Sequence, residues 1–315
     1  AEGVCEASLR GVDSHGINLL PHYIASVRGG RKNGNPVFKV ESKYSGSVVL
    51  DADHTFGIAA GRKAVELGVE RSDLSGISSV LVYRSTHPGC LGSVVRQAAQ
   101  AGVICVGFAN ADSLMFNPNS GVKTFGTNPI CVSAPRREVE PFCLDMATTI
   151  YTWNKIKNYI KNGHNLPNEV AGDRYGTSVN DPALAEGLFP IGGIKGFGIA
   201  SVVEVLTSVI SGMPVGPEIL AMYAASINEK RNLAQHYLFI KPDILISEME
   251  FFEKMQGLTD HLREVGDPAV GCPGDPEIAA MKERSAAGIP IDSWLIDRLD
   301  ELCSEAGQSP IKPIQ

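Results

Sequence analysis

The chain has 315 residues, 43% of them hydrophobic and 20% charged, the balance of a globular protein with room for two domains or one large domain with an excursion. Its formal net charge of -7, without any Lys/Arg run, argues against a nucleic-acid surface. No apolar run reaches the roughly 20 residues that span a bilayer, so no membrane association is expected. Cys5, Cys90, Cys105, Cys131, Cys143, Cys272 and Cys303 are odd in number and scattered, with no CxxC or Cys/His cluster. Neither a disulfide framework nor a metal site is expected, and a reducing, cytoplasmic setting is. The acidic N-terminus reads as the inside of a helix and carries no secretory signal.

In chain order, Ala1–Leu9 ends a helix, and Gly11 and Gly16 break the pattern. Ile17–Arg28 reads as a short amphipathic helix, Val48–Asp51 as a strand and the Ala-rich Gly57–Leu67 as a helix. The β-branched run Ile77–Tyr83 predicts a buried strand. A helix over Leu91–Ala101 and a strand over Val103–Ala109 follow, and strands over Asn128–Ala134 and Pro141–Met146 complete a sheet. This alternation predicts an α/β core. Gly163–Asp181 reads as the longest loop. Gly196–Ser211 is the most regular helix, with Ile199, Val202, Val203, Leu206 and Ile210 on one face. A late strand, Tyr237–Ile240, precedes helices over Ser247–Glu264, Pro276–Ala287 and Ile291–Glu305.

Chemistry concentrates at a few of the turns. In Arg10-Gly-Val-Asp-Ser-His-Gly16, Ser14 and His15 fall together between a glycine and a helix. Histidine titrates near neutrality and can take a hydroxyl proton and return it; the plainer alternative is a capping or packing pair. His87 follows a strand and precedes a helix, where open α/β sheets place ligands, or it merely caps that helix. His22, His54, His164, His236 and His261 read as surface or packing residues. Asp145 ends an apolar run and needs a partner, such as a ribose hydroxyl or a backbone amide. Asp173 either orients a histidine or is an ordinary turn residue. Gly126-Thr-Asn-Pro129 offers the Thr127 and Asn128 side chains to a substrate. A strand-linked G-x-G-x-x-G is missing, but Gly192–Gly198 opens the regular helix with Lys195 available to a phosphate. A second helix start at Cys272–Glu277 places Asp275 as cap and Pro276 in the first helical position.

Taken together, these stretches resemble the type-2 malate/L-lactate dehydrogenase family, which also contains ureidoglycolate, sulfolactate and diketogulonate-type enzymes. The likeness rests on Arg10–Gly16, Leu20-Pro-His-Tyr23, His87 with Gly89, Gly126–Ile130, Asp145-Met-Ala-Thr148, Asp173 with Gly176, Lys195, Arg231-Asn-Leu233 and Pro273-Gly274. It implies a non-Rossmann cofactor-binding α/β domain with a largely antiparallel sheet, here residues 47–230. A helical substrate domain would be built from both chain ends, residues 1–46 and 231–315. The resemblance further implies NAD or NADP as cofactor, a homodimer, and a further N-terminal helical segment ahead of residue 1. His15 and His87 would bind substrate and transfer the proton, with Ser14 assisting and Asp173 orienting the relay. Asp145, Met146, Ala147, Lys195, Gly274, Asp275 and Pro276 would contact the cofactor, and Arg10, Tyr23, Thr127 and Asn128 the substrate.

The implied reaction is hydride transfer between the nicotinamide and a small 2-hydroxy or 2-oxo acid such as malate or lactate. The chain departs from the family at Leu19, where members carry an arginine able to pair with a substrate carboxylate. A charged hydrogen-bond partner is worth about 1.5–3 kcal/mol. Pro88 and Asn154 also depart. Two alternatives follow: a reductase of a less anionic substrate (an imine or ureido acid), or a cofactor-binding paralogue without catalysis.

Overall fold

A computed structural model describes residues 1–266 and 271–311. The chain runs through α1 (Glu2–Leu9), α2 (Leu20–Arg28), β1 (Lys39–Glu41), β2 (Ser47–Asp51), α3 (Gly57–Ser75), β3 (Ile77–Ser85) and α4 (Gly92–Gln100). Then come β4 (Ile104–Ala109), β5 (Met115–Phe116), β6 (Lys123–Phe125), β7 (Ile130–Ala134), β8 (Phe142–Met146), α5 (Trp153–Asn162), β9 (Ala171–Gly172) and β10 (Gly187–Leu188). The C-terminal third holds α6 (Ile194–Glu204), β11 (Leu233–Ile240), α7 (Glu248–Val265), α8 (Asp275–Ala287) and α9 (Ser293–Glu305). No helix among the described residues is long and apolar enough to cross a membrane.

Two mixed sheets make the architecture α/β. The larger has the order β1-β2-β3-β11-β4-β7-β8; only β2 and β3 pair in parallel, and every other neighbouring pair is antiparallel. Apolar side chains of β2, β3, β4 and β11 meet those of α3 and α4 in the main core, around Leu50, Val80, Val82, Val94, Tyr237 and Phe239. Gly68 lets α3 approach closely, since a Cβ there would lie 2.1 Å from the Phe239 ring. The smaller sheet, β6-β5-β10-β9, has a separate apolar cluster around Ile156, Leu166, Val170 and Leu188.

The two ends of the chain meet. Leu295, Leu299 and Leu302 of α9 pack against Ile17, Leu20 and Ile24 at the start of α2. Asp13 and Arg284 of α8 form a two-pronged ion pair of 2.6 and 2.9 Å.

Four features differ from expectation. The late strand begins at Leu233 and lies at the centre of the large sheet, between β3 and β4. A division before residue 231 therefore precedes a strand that belongs with the sheet. α5 was not anticipated, although both its ends carry signals: the Thr152 side chain caps it and Gly163 closes it in the left-handed conformation. At Cys272–Glu277 the cap is Gly274 rather than Asp275, with Asp275 the first helical residue and Pro276 the second.

The fourth is α6, which continues as one π-type turn over Val205–Val209 and turns its polar side inward. Glu204, Thr207 and Ser208 are buried, while Ile199, Val202, Val205, Val209 and Ile210 are exposed. A strong periodicity reports that one face is apolar; it does not say what covers that face.

Candidate active site

Ser14 and His15 occupy a single 3-10 turn, Asp13–His15, which the chain fixes from both sides. Arg284 holds Asp13, and the Asn154 amide at the start of α5 donates to the Ser14 carbonyl at 2.6 Å. Ser14 Oγ and His15 Nδ1 share a hydrogen bond of 2.8 Å. His87 lies in the loop that leaves β3. That loop is pinned to the start of α3, where the Gly57 N–H donates to Thr86 Oγ1 and Thr86 Oγ1 donates to the Thr55 carbonyl. A Cβ at Gly57 would lie 2.3 Å from the Thr86 carbonyl, so only glycine permits this approach.

The two imidazoles stack, with centroids 5.4 Å apart and planes inclined by 14°. Their Nδ1 settings differ. His87 Nδ1 lies 2.9 Å from the Tyr23 hydroxyl and 3.3 Å from the Gly89 N–H. A backbone N–H can only donate, so this Nδ1 accepts and the neutral ring carries its proton on Nε2. Burial lowers the His87 pKa well below its ordinary value, and the positive charge of His15, Lys32 and Arg231 adds to this. His15 is lowered by burial as well, opposed by the Asp145 carboxylate. Behind His87, the buried Lys32 ammonium sits 3.5 Å over the Tyr23 ring, without a hydrogen-bond partner among the described residues. Burial also lowers the Lys32 pKa, helped by Arg231 and Arg31.

Two cavities meet at His15. The larger, about 330 Å³, is bounded by His15, His87, Asp112, Lys123, Trp153 and Met222 among others. The smaller, about 160 Å³, is bounded by Arg10, Ser14, His15, Cys90, Arg96 and Asp145 among others. Thr127 and Thr152 belong to both walls. A third, more open groove of about 580 Å³ adjoins the smaller cavity through Ser14, Ala147 and Thr152 and includes Met146 and Ile191.

Asp145, although exposed, does meet a backbone amide. It accepts from the Gly92 N–H at 2.7 Å, at the first turn of α4, and from the Cys90 thiol at 3.2 Å. Arg10 pairs with Glu6 at 3.3 Å and Glu140 at 3.0 Å, and Arg96 pairs with Glu6 at 3.2 Å. One guanidinium nitrogen of Arg10, Nη1, is buried without a hydrogen-bond partner among the described residues. Gly274 has φ +99°, a conformation that favours glycine, and lies against the Cys143 backbone. An orphaned donor in the wall of the smaller cavity, with a glycine-capped helix start nearby, fits a dinucleotide.

The expected residues thus separate. Ser14, His15, His87, Thr127, Asp145 and Ala147 converge on the cavities, with Arg10 in the smaller wall, Tyr23 directly behind His87 and Met146 in the groove. Asn128 does not reach them. It is fully buried, donating to the Ala200 carbonyl and Glu204 and accepting from the Ala111 N–H. Asp173 closes its own exposed turn, accepting from the Tyr175 and Thr177 N–H groups. Asp275 and its neighbour Pro276 start α8, and the Asp275 carboxylate is matched by Arg263 at 2.7 and 2.8 Å. Lys195 is exposed in the first turn of α6. Leu19 is buried against Val4, Tyr23 and Met222.

Sequence reasoning missed Asp112 and Lys123 in the larger wall. Asp112 follows the C-terminal end of β4, the kind of position at which α/β sheets present functional groups. No comparable signal marks Lys123.

A stacked histidine pair at the junction of two small cavities, with a groove alongside for a larger molecule, is the geometry of an enzyme site for a small substrate. The comparisons with known proteins give that class its family. A profile of the malate/L-lactate dehydrogenase family matches residues 1–300, and the chain belongs to this family of oxidoreductases acting on small hydroxy and oxo acids. It is 31% identical to L-sulfolactate dehydrogenase from Methanocaldococcus jannaschii, over 98% of this chain and 89% of that protein. It is 30% identical to ureidoglycolate dehydrogenase (NAD(+)) from Escherichia coli, over 92% of this chain and 84% of that one. Among solved structures, malate dehydrogenase from Entamoeba histolytica superposes with a TM-score of 0.90 at 25% identity, covering 99% of this chain and 91% of that one.

Proposed function

We propose that the chain oxidises a small 2-hydroxy acid to the 2-oxo acid, and reduces it in reverse, with NAD or NADP. The carrying observation is the stacked pair His15 and His87 at the junction of two cavities, with their Nδ1 atoms set differently. Bound nicotinamide supplies the hydride acceptor for oxidation and the donor for reduction. The NAD(+) in the name of the ureidoglycolate relative makes NAD the first cofactor to test.

The protein's own groups divide the remaining work. With Ser14 Oγ accepting from His15 Nδ1–H, His15 Nε2 is left with a free lone pair. It takes the substrate hydroxyl proton in oxidation and returns it in reduction. Asp145, whose charge raises the His15 pKa, stabilises the imidazolium formed. His87 has its proton on Nε2 and donates to the substrate oxygen, fixing it in place. Arg10 Nη1, Asp145, Met146 and Ala147 would hold the cofactor, with Lys195 and the Gly274 helix start as phosphate contacts.

Antiparallel pairing in the large sheet supports a cofactor domain unlike the parallel Rossmann type. Contacts between α2 and α9 support a helical unit built from both chain ends. The exposed Val202, Val205 and Val209 stripe supports a second copy of the chain as partner; a monomer at micromolar concentration in sedimentation equilibrium would overturn that part.

The test of function is NADH and NADPH oxidation with oxaloacetate, pyruvate, glyoxylate-derived ureides, sulfopyruvate and one cyclic imine. Turnover of a 2-oxo acid is expected. Tight cofactor binding with turnover of the imine alone would move the reaction to a less anionic substrate, and no cofactor binding would end the reading.

A further inference from the structure

We infer that Lys123 receives the carboxylate of the substrate, making it the specificity-determining cation of this chain. The inference rests on the 2-oxo acid reading above. Such a substrate brings a negative charge into the cavity, and a carboxylate is held there most strongly by a charge-assisted hydrogen bond.

The larger cavity has three charged side chains in its wall besides the histidines: Asp112, Glu186 and Lys123. Two are already matched. Asp112 is held by the buried Arg231 guanidinium and accepts from the Met222 N–H at 3.1 Å. Glu186 faces Arg174 at 3.8 Å. Lys123 makes no ion pair among the described residues. Its ammonium donates one hydrogen bond, to the Glu186 carbonyl at 3.0 Å. That bond steadies the side chain and leaves two N–H donors and a full charge available.

Other cations are placed less well. Lys32 lies behind the Tyr23 and Phe56 rings, and Leu19 carries no charge and is buried in an apolar cluster. Lys123 belongs to the same short strand and turn as Thr127, which faces both cavities. The chain therefore sets the cation and the shared wall together. Leu114, Trp153 and Met222 in that wall leave an apolar surface for the substrate's carbon chain.

A rival lies beyond Asn154 and Tyr223, where a separate cavity of about 260 Å³ includes Lys157 and Lys161. Both lysines rest over aromatic rings, Tyr223 at 3.3 Å and Trp294 at 3.9 Å. Asp13, the carboxylate of that cavity, is matched by Arg284.

The test uses the purified full chain with NADH and the fastest of oxaloacetate, pyruvate and glyoxylate, beside the methyl ester of the same acid. Lys123→Met should raise KM for the acid about ten- to a hundredfold, the range of a lost charged hydrogen bond. The change should fall in KM rather than kcat. KM for the ester should move less than about twofold, and Lys123→Arg should recover most of the affinity for the acid. Melting temperature and NADH binding, read by fluorescence, check that the variant is folded. An unchanged KM in Lys123→Met overturns the inference, as does an equal rise for acid and ester. A rise found in Lys157→Met or Lys161→Met instead also overturns it and moves the carboxylate to the rival cavity. A parent that turns over none of these acids, nor sulfopyruvate nor the glyoxylate-derived ureides, defeats the 2-oxo acid reading itself.

Discussion

In the larger cavity Asp112 and Glu186 are matched, whereas the two histidines and Lys123 stand outside any ion pair among the described residues. His15 and His87 are neutral and stacked. In the smaller cavity Arg10 and Arg96 pair with Glu6 and Glu140, with Arg10 Nη1 left over, and Asp145 accepts from the Gly92 amide and the Cys90 thiol. A ring that must gain or lose a proton needs one nitrogen left free to meet the substrate. A group that must hold a fixed shape for a large ligand gains from being locked. On the proposed function the contrast puts reaction in one cavity and holding in the other, and His15 stands in both walls.

The histidines give the largest test of that contrast. His15→Ala should reduce kcat by about 10²–10⁴-fold, the usual worth of a positioned acid–base group. His87→Ala should lose about 10²–10³-fold through loss of an oxygen-directed donor. Neither should change NADH affinity by more than a few-fold, as fluorescence titration will measure. With His15 held below its ordinary pKa by burial, kcat/KM for oxidation should stay level as pH falls through about 6.5 and decline only below it. Reduction needs the protonated ring and should quicken as pH falls. Stability carries the same sign. The unfolded chain protonates its histidines near pH 6.5, whereas His22, for example, is held down to about 4. Between those values the unfolded state binds more protons, so stability is full above the window and lost as pH falls through it. A urea midpoint that rises on acidification would contradict this.

Asp145 should show the opposite pattern. Asp145→Ala removes the carboxylate that satisfies the first turn of α4, at about 1–2 kcal/mol, and should lower the melting temperature by several degrees. NADH affinity should fall roughly tenfold, with a smaller loss in kcat as the His15 imidazolium loses its support. Unchanged NADH affinity would take the cofactor out of the smaller cavity.

Much of this arrangement was legible in residue patterns. Ile77–Tyr83 and Leu91–Ala101 have period and composition that only one element type satisfies, and both appear where expected. Ser14, His15 and His87 sit at element ends, where local chain signals are strongest. Sheet order is different: the central place of β11 depends on pairing with β3 and β4, more than a hundred residues away in sequence, and no local pattern encodes it. The inward polar side of α6 was hidden for a related reason. Glu204 and Ser208 are buried because Asn110 and Asn128 meet them, and those partners come from distant segments. Lys123 has a charge that sequence displays and a direction that only the folded strand supplies.

The smallest effects come from two neighbours that the chain turns in opposite directions. Thr127 faces both cavities, whereas Asn128, with φ +31°, is directed into the protein against Glu204 and Ala200. Burial raises the Glu204 pKa, and the Asn128 and Ser208 hydrogen bonds pull it back. Asn128→Ala therefore leaves a buried carboxyl short of a donor and places alanine in a left-handed conformation. The loss should be about 1–3 kcal/mol, read as a lower melting temperature with KM for substrate nearly unchanged. Thr127→Val keeps shape and removes one hydroxyl from the shared wall, so KM should rise about three- to tenfold while the melting temperature stays within about a degree of the parent. If the two phenotypes were exchanged, Asn128 rather than Thr127 would touch the substrate, and the turn at Gly126–Pro129 would have to present the opposite face to the cavities.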